Sequence, residues 1–476
     1  MLRPRLFQLI GITCLSVFTS IASAATPANT PTSSANQNQP TPPTANIANP
    51  NYLPFLALPL VQQNMLAPPA TTTQKNQTYI LPAVAATTQW GVFDNQQSPV
   101  LTINSGDTVI TETLAASDNQ VVPGVTVDNI YEMNNAIPGR GPHTLTGPIY
   151  VNGAEPGNVL RIHFNKIVPR PYGSNDNIPG RGLFPDKFPV GQVKYFYLDV
   201  KNNRTQFAPG IVVPLSPFPG IVAVAQAAPG KFSSDPPGNY GGNMDLRLMN
   251  EGTTLYLPVF VKGGLVWTGD SHAVQGNGEI NLTALETSYA EFSFTIDVVK
   301  DRVLDRPLVE TPTSWITVGY DTNLNTALDS LKAETIKFIM AERKVPYAQA
   351  QQIMYNTWNC PISEVVNGVQ GTYCIIPKDP NAPKPASLPS ADTATQFVTY
   401  GKSSDVEQAM KQASWAMLQK LETVKNMKPL DAYSLASLTM DCHIAPYHSG
   451  DKEVHCMINK SLWTSNPNKQ QASSAT

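Results

Sequence analysis

The sequence predicts a β-rich α+β protein: a sandwich- or barrel-like β core followed by two tandem helix–helix–hairpin units. Three observations carry this expectation. Between Tyr79 and about Thr317, β-branched and aromatic runs of strand length alternate with Gly/Asp/Asn/Pro turns. The 43 prolines and 30 glycines spread along the chain suit many short strands better than long helices. After Gly319 the apolar spacing becomes helical, and the pattern recurs 82 residues later.

From the N-terminus, Arg3 and Arg5 precede the uncharged stretch Leu6–Ile21, and Ala22-Ser23-Ala24 supplies the small residues a signal peptidase reads. A signal peptide over 1–24 is therefore expected, with a periplasmic or secreted mature chain. Lipid anchoring at Cys14 is the rival reading, weakened by the poor fit of Gly11-Ile12-Thr13. Residues 25–75 are rich in Pro, Thr, Asn and Gln, carry no charge before Lys75, and predict a largely disordered leader. Its apolar patch Tyr52–Leu58 is able to dock on the body.

The β core is expected over 76–319. Val100-Leu101-Thr102-Ile103, Val159–Phe164 and Phe292–Ile296 are strands, and Asn104-Ser105-Gly106-Asp107 and Glu155-Pro156-Gly157-Asn158 are turns. A first unit at 320–380 holds helices over Thr326–Arg343 and Tyr347–Trp358 and a hairpin around Asn367-Gly368, a type I′ signal. A linker at 381–400 leads to a second unit at 401–465, and 466–476 form a disordered tail. Cys360/Cys442 and Cys374/Cys456 share the 82-residue offset. In an exported chain this favours disulfides Cys360–Cys374 and Cys442–Cys456, each clipping one hairpin, with pairing across the units as the alternative.

Composition excludes some functions. Formal net charge is −3 and becomes −5 once Arg3 and Arg5 leave, so no basic surface for nucleic acid is expected. No further stretch approaches a membrane span.

The densest polar cluster is Gly241-Gly242-Asn243-Met244-Asp245, then Gly269-Asp270-Ser271-His272-Ala273-Val274-Gln275-Gly276-Asn277-Gly278-Glu279 and Ala284-Leu285-Glu286. Asp270 and His272 are two apart, so an extended backbone points both the same way. An imidazole with carboxylates suits a divalent metal. The plain alternative is a glycine-rich turn whose Asp and His satisfy local amides. With His143–Val151, Gly153-Ala154-Glu155-Pro156-Gly157 and Thr254–Val259, these runs, in their order, resemble the acetamidase/formamidase family. The likeness continues through Asp431-Ala432-Tyr433 and Val454–Ile458, covering roughly 81–463.

The resemblance implies a β-rich fold, a divalent metal site, and hydrolysis of short aliphatic amides to carboxylate and ammonia. Asp245, Asp270, His272 and Glu155 are the implied metal ligands; zinc is the first expectation, and calcium or manganese also suits oxygen ligands. Glu286 is the implied base, Asn243 and Gln275 the implied oxyanion donors, and His143 lines the substrate position. His163, His443, His448 and His455 are expected to be structural. The sequence departs from the family in its export signal, its leader, its duplicated unit and Asn277, where Asp is usual. A catalytically silent secreted binding protein on the same scaffold is therefore the second reading. The expected partners are a small amide and, in a homo-oligomer, further copies of the chain.

Overall fold

The computed structural model describes residues 76–464; the expected signal peptide, leader and tail lie outside them. Two sheets form the β core. The first has eight strands, running in space from Thr78–Leu81 through Asp107–Thr111, Tyr289–Val299, Val159–Pro169, Thr254–Pro258, Leu308–Glu310 and Ser314–Asp321 to Gln370–Pro377. The second places Val266–His272 between Glu286–Thr287, Phe218–Val224 and Thr144–Asn152, and Gly241–Asn243 follows Phe218–Val224. The sheets are open rather than closed into a barrel. Val109, Phe164, Leu255, Phe292 and Phe294 of the first pack with Leu145, Ile149, Phe218, Ile221 and Trp267 of the second. That apolar layer is the core of a sandwich.

Strand sequence follows position. Asp107–Thr111 alternates buried and half-buried residues, whereas Phe218–Val224 and Val266–His272 are buried on both faces. Polar residues in those two central strands therefore lie inside the protein, where each requires a partner.

Five α-helices are present among the described residues. Helix α1 (Val127–Asn135), absent from the sequence reading, starts with a capping box between Thr126 and Asn129. The other four are α2 (Leu324–Arg343), α3 (Tyr347–Asn356), α4 (Val406–Lys425) and α5 (Pro429–Thr439). Asn323 caps α2 and Asp405 caps α4, 82 positions apart; Lys344 and Asn426 end them in left-handed conformation. Leu324, Leu328, Leu331 and Ile339 are buried on α2, each contributing about 1.5–3 kcal/mol.

The recurring unit begins earlier than its helical pattern suggests. Ser314–Asp321 and Gln396–Ser403 are strands at the same 82-residue offset, so each unit reads strand–helix–helix–strand–strand. The expected boundary at 320 and the linker at 381–400 each cut through one of these strands. Gly319 and Gly401 occupy equivalent places in them. A Cβ there would sit 2.3 Å from the Ala327 carbonyl oxygen and 2.1 Å from that of Ala409, so glycine lets each helix lie on its strand.

The disulfides Cys360–Cys374 and Cys442–Cys456 are both present. The second clips the hairpin of Asp441–Ile444 with Lys452–Asn459. The first unit's hairpin is short: Ile362 bridges Thr372, the Ser363 amide donates to the Gly371 carbonyl, and the Gly371 amide donates to that of Glu364. Its Cys360–Pro361 strand also pairs with His443–Ile444 of the second unit, while Gln370–Pro377 extends the core sheet beside Ser314–Asp321. The Asn367-Gly368 turn is not type I′: Gly368 has φ 76°, but Asn367 stays out of the left-handed region. The Glu364 carboxylate instead accepts from the Val366 and Asn367 amides, at 3.2 and 3.3 Å.

Candidate active site

The polar cluster assembles on adjoining strands. His272 ends its strand opposite Phe218 on one side and Glu286 on the other. Ile221 opposes Asn243, which brings the following Asp245 to the same place. Gly220 makes the convergence possible: a Cβ there would lie 2.3 Å from Asp270 Oδ2, 2.7 Å from His272 Cε1 and 2.9 Å from Asp245 Oδ1. Tyr289 fixes the two strand ends, its hydroxyl donating to the carbonyls of Phe218 and His272.

The imidazole of His272 has carboxylates at both nitrogens. Asp270 Oδ1 is 3.2 Å and Glu286 Oε1 3.4 Å from Nε2, while Asp245 Oδ1 is 3.6 Å from Nδ1. Two sets of ligand-capable atoms fall within 4.8 Å of one another, one from Asp245, His272 and Glu279, the other from Asp270, His272 and Glu286. Asp245 Oδ1 and His272 Nδ1 are buried without hydrogen-bond partners. Three of these carboxylate residues hold left-handed backbones: Asp245 at φ 45°, Asp270 at 51° and Glu279 at 50°. Non-glycine residues held there cost roughly 1–3 kcal/mol each, and such strain concentrates at functional sites.

Charge crowding sets the protonation. Burial, with the neighbouring Asp270 and Glu286 charges, pushes Asp245 well above the usual carboxylate range. Burial and Asp245 do the same to Glu279. For Asp270, burial alone would raise the pKa, but His272 and His143 outweigh it and hold the carboxyl low. His272 is raised because Asp270 and Glu286 outweigh its burial. Asp176 is pushed up to about 7 by burial and by Glu286. So many buried acids around one imidazole lack enough positive charge of their own.

A cavity of about 430 Å³ opens onto the cluster, and Asp176, Asn243, Asp270, Glu279, Glu286 and His143 line it. Glu286 is also anchored by the Ala284 amide at 2.9 Å. His143 accepts or donates at Nδ1 with Ser234 Oγ at 2.9 Å, and its Nε2 is 3.9 Å from Asp270. This Ser–His–Asp order is not a nucleophilic triad: 3.9 Å is too long for a hydrogen bond, and Ser234 is fully buried outside the cavity lining. Gln275 is buried with both side-chain polar atoms unpartnered, but it does not line the cavity.

Glu155 is not brought to the cluster. It is exposed in the turn after Thr144–Asn152, 3.8 Å from Lys262, as an ordinary Glu-Pro-Gly turn residue would be. His163, His443 and His455 pair locally with Thr254, Asp441 and the Pro389 carbonyl. The sequence reading missed Glu279, although it ends the quoted Gly-Asp-x-His run. It also missed Asp176, whose signal was a polar strand, Ser174–Asn177, too polar to be buried for packing alone. Asn367, on the first C-terminal unit, reaches in to donate to Asp245 Oδ2 at 2.6 Å. Nothing local in the sequence marks that contact.

Residues 91–231 and 231–315 match the model of the Acetamidase/Formamidase family. An acetamidase of Mycolicibacterium smegmatis is 24% identical over 218 residues, 33% of this chain and 54% of that protein. A formamidase of Methylophilus methylotrophus is 26% identical over 217 residues, 34% of this chain and 53% of that protein. The chain thus spans about half the length of the curated relatives it matches. A crystal structure of a recombinant "predicted acetamidase/formamidase" from Thermoanaerobacter tengcongensis aligns with a TM-score of 0.58 at 27% identity, covering 64% of this chain and 96% of that one.

Proposed function

We propose, on the match of residues 91–315 to the acetamidase/formamidase family and the likeness to its members, that the chain is an exported amidohydrolase of that family acting on linear amides at the His272 cluster. The observation that carries the reading is the pair of orphaned buried atoms, Asp245 Oδ1 and His272 Nδ1, beside Glu279 at a cavity wall. Buried ionisable groups persist when paired or when they coordinate a metal. This donor set, two carboxylates and an imidazole, fits a divalent cation, zinc foremost. Asp245, Glu279 and His272 Nδ1 would hold it; bound there, it would polarise the amide oxygen and lower the pKa of water.

The chain's own groups do the rest. Asp270 accepts from His272 Nε2 and fixes the ring's orientation, as carboxylates behind metal-binding histidines do. Glu286, the most accessible carboxylate of the cluster, takes a proton from the attacking water as the new C–O bond forms. It returns that proton to the amide nitrogen as the C–N bond breaks, so one amide and one water leave as carboxylic acid and ammonia. Asn243, on the cavity wall, donates to the developing oxyanion.

The test is elemental analysis of purified protein beside an ammonia-release assay over linear amides, before and after chelation. Bound divalent metal, with ammonia release lost on chelation and restored by adding metal back, is the expected outcome. A metal-free protein that releases no ammonia favours the second reading, a binding protein on the same scaffold.

A further inference from the structure

Building on the amidase reading, we propose that the preferred substrate is an amide whose acyl arm is extended and ends in a carboxylate, rather than formamide or acetamide. The first ground is size. Liquid water occupies about 30 Å³ per molecule, so a cavity of about 430 Å³ has room for on the order of a dozen waters. Acetamide has four heavy atoms and would leave most of that space wet, with few contacts to hold it.

The second ground is the wall. Val121, Ile130 and Ile178 form a small apolar cluster of their own, with Leu282 packed against it, and all four face the cavity. A methylene arm laid there would remove apolar surface from water on both sides. A short amide would leave that wall exposed.

The third ground is charge. Arg140 and Arg181 are the basic residues of the lining, and among the described residues neither lies within ion-pair distance of a carboxylate. They are therefore separate from the acid cluster around His272. Arg140 is held in place: its guanidinium stacks 3.7 Å from the Trp90 ring centroid and Nη2 donates to the Met133 carbonyl at 2.7 Å. A guanidinium held in place in this way, with no carboxylate of the described residues beside it, suits a carboxylate of the ligand. Arg181 stands exposed at the rim, placed to add a second charge.

The experiment compares kcat/KM for acetamide, hexanamide and adipamate, the monoamide of adipic acid, with the wild type, Arg140→Gln and Arg181→Gln. Adipamate is expected to exceed both neutral amides by roughly tenfold or more, and Arg140→Gln to lower the adipamate-to-hexanamide ratio by a similar factor. Melting temperatures check that both variants fold, and Arg181→Gln reports on the site if Arg140→Gln does not fold. Preference for acetamide overturns the proposal while leaving the amidase reading intact. So does equal use of hexanamide and adipamate, or a ratio unchanged in both variants. Failure to hydrolyse any of the three overturns the amidase reading itself.

Discussion

His272 is where the competing forces of this site meet. Three buried carboxylates and the half-buried Glu286 crowd one ring, the three buried ones on strained backbone, and oxygens of Asp245 and Asp270 lie over Gly220. Gly220→Ala puts a methyl group 2.3 Å from Asp270 Oδ2, so neighbours must shift within a packed strand. It should destabilise by about 1–3 kcal/mol, read as a lower melting temperature. The proposed ligand roles separate by metal content. His272→Ala and Glu279→Gln should lose bound metal, whereas Asp270→Asn should weaken it by about 10–100-fold, the usual effect of removing an orienting partner. Retention of full metal in Glu279→Gln removes that residue from the site. Asp245, Asp270, His272 and Glu286 were legible through the runs that resemble the family, since their spacing alone also suited a glycine-rich turn. Glu279 was legible only as the end of such a run. Its inward turn depends on a left-handed backbone, which residue type does not reveal outside glycine.

At the scale of elements, both C-terminal units act on the site, and they do so differently. The first sends its Asn367 turn to Asp245, with the turn held by Glu364. The equivalent place in the second unit holds Ser449 and Gly450, which are exposed. Asn367→Ala should therefore weaken metal retention by about 10–100-fold at an unchanged melting temperature, while Ser449→Ala, the matched control, changes neither. Equal behaviour of the two variants would rule out a role for the turn. The second unit supports the site from behind through α5. Ser437 and Met440 carbonyls accept from the Gly276 and Asn277 amides, and Tyr433 donates to the Ile280 carbonyl. These bonds brace the segment that carries Glu279. The repeat itself was readable from cysteine and apolar spacing. Its leading strands and the exchange of Cys360–Pro361 into the second unit's sheet were not, because pairing between distant strands depends on tertiary packing rather than local pattern.

Across the whole molecule, polar contacts tie the second C-terminal unit to the segment that carries the site. Asn277 lies in the Gly-Asp-x-His run and reaches the second unit. Its Nδ2 donates to Asp441 Oδ1 at 2.8 Å and to the Cys442 carbonyl at 3.1 Å. An aspartate there would face Asp441 with like charge, so the asparagine belongs with the second unit. Burial tends to raise the Asp441 pKa, but His443 and Arg247 outweigh it and hold the carboxyl down to about 2. That value lies below the ordinary carboxylate value of about 3.9. The stabilisation is thus present in full above pH ~4 and is lost as pH falls toward 2. Asp441→Asn should flatten the fall of melting temperature with pH across that window; an unchanged acid limb would show that this contact does not couple the units to the core. The central claim is that the buried cluster is a hydrolytic site with Glu286 as its proton carrier. Its most direct test is the rate of ammonia release from a linear amide by wild type and Glu286→Gln, compared at equal metal content. The account predicts steady release by the wild type and a rate lower by about 10²-fold or more in the variant. Equal rates would contradict it.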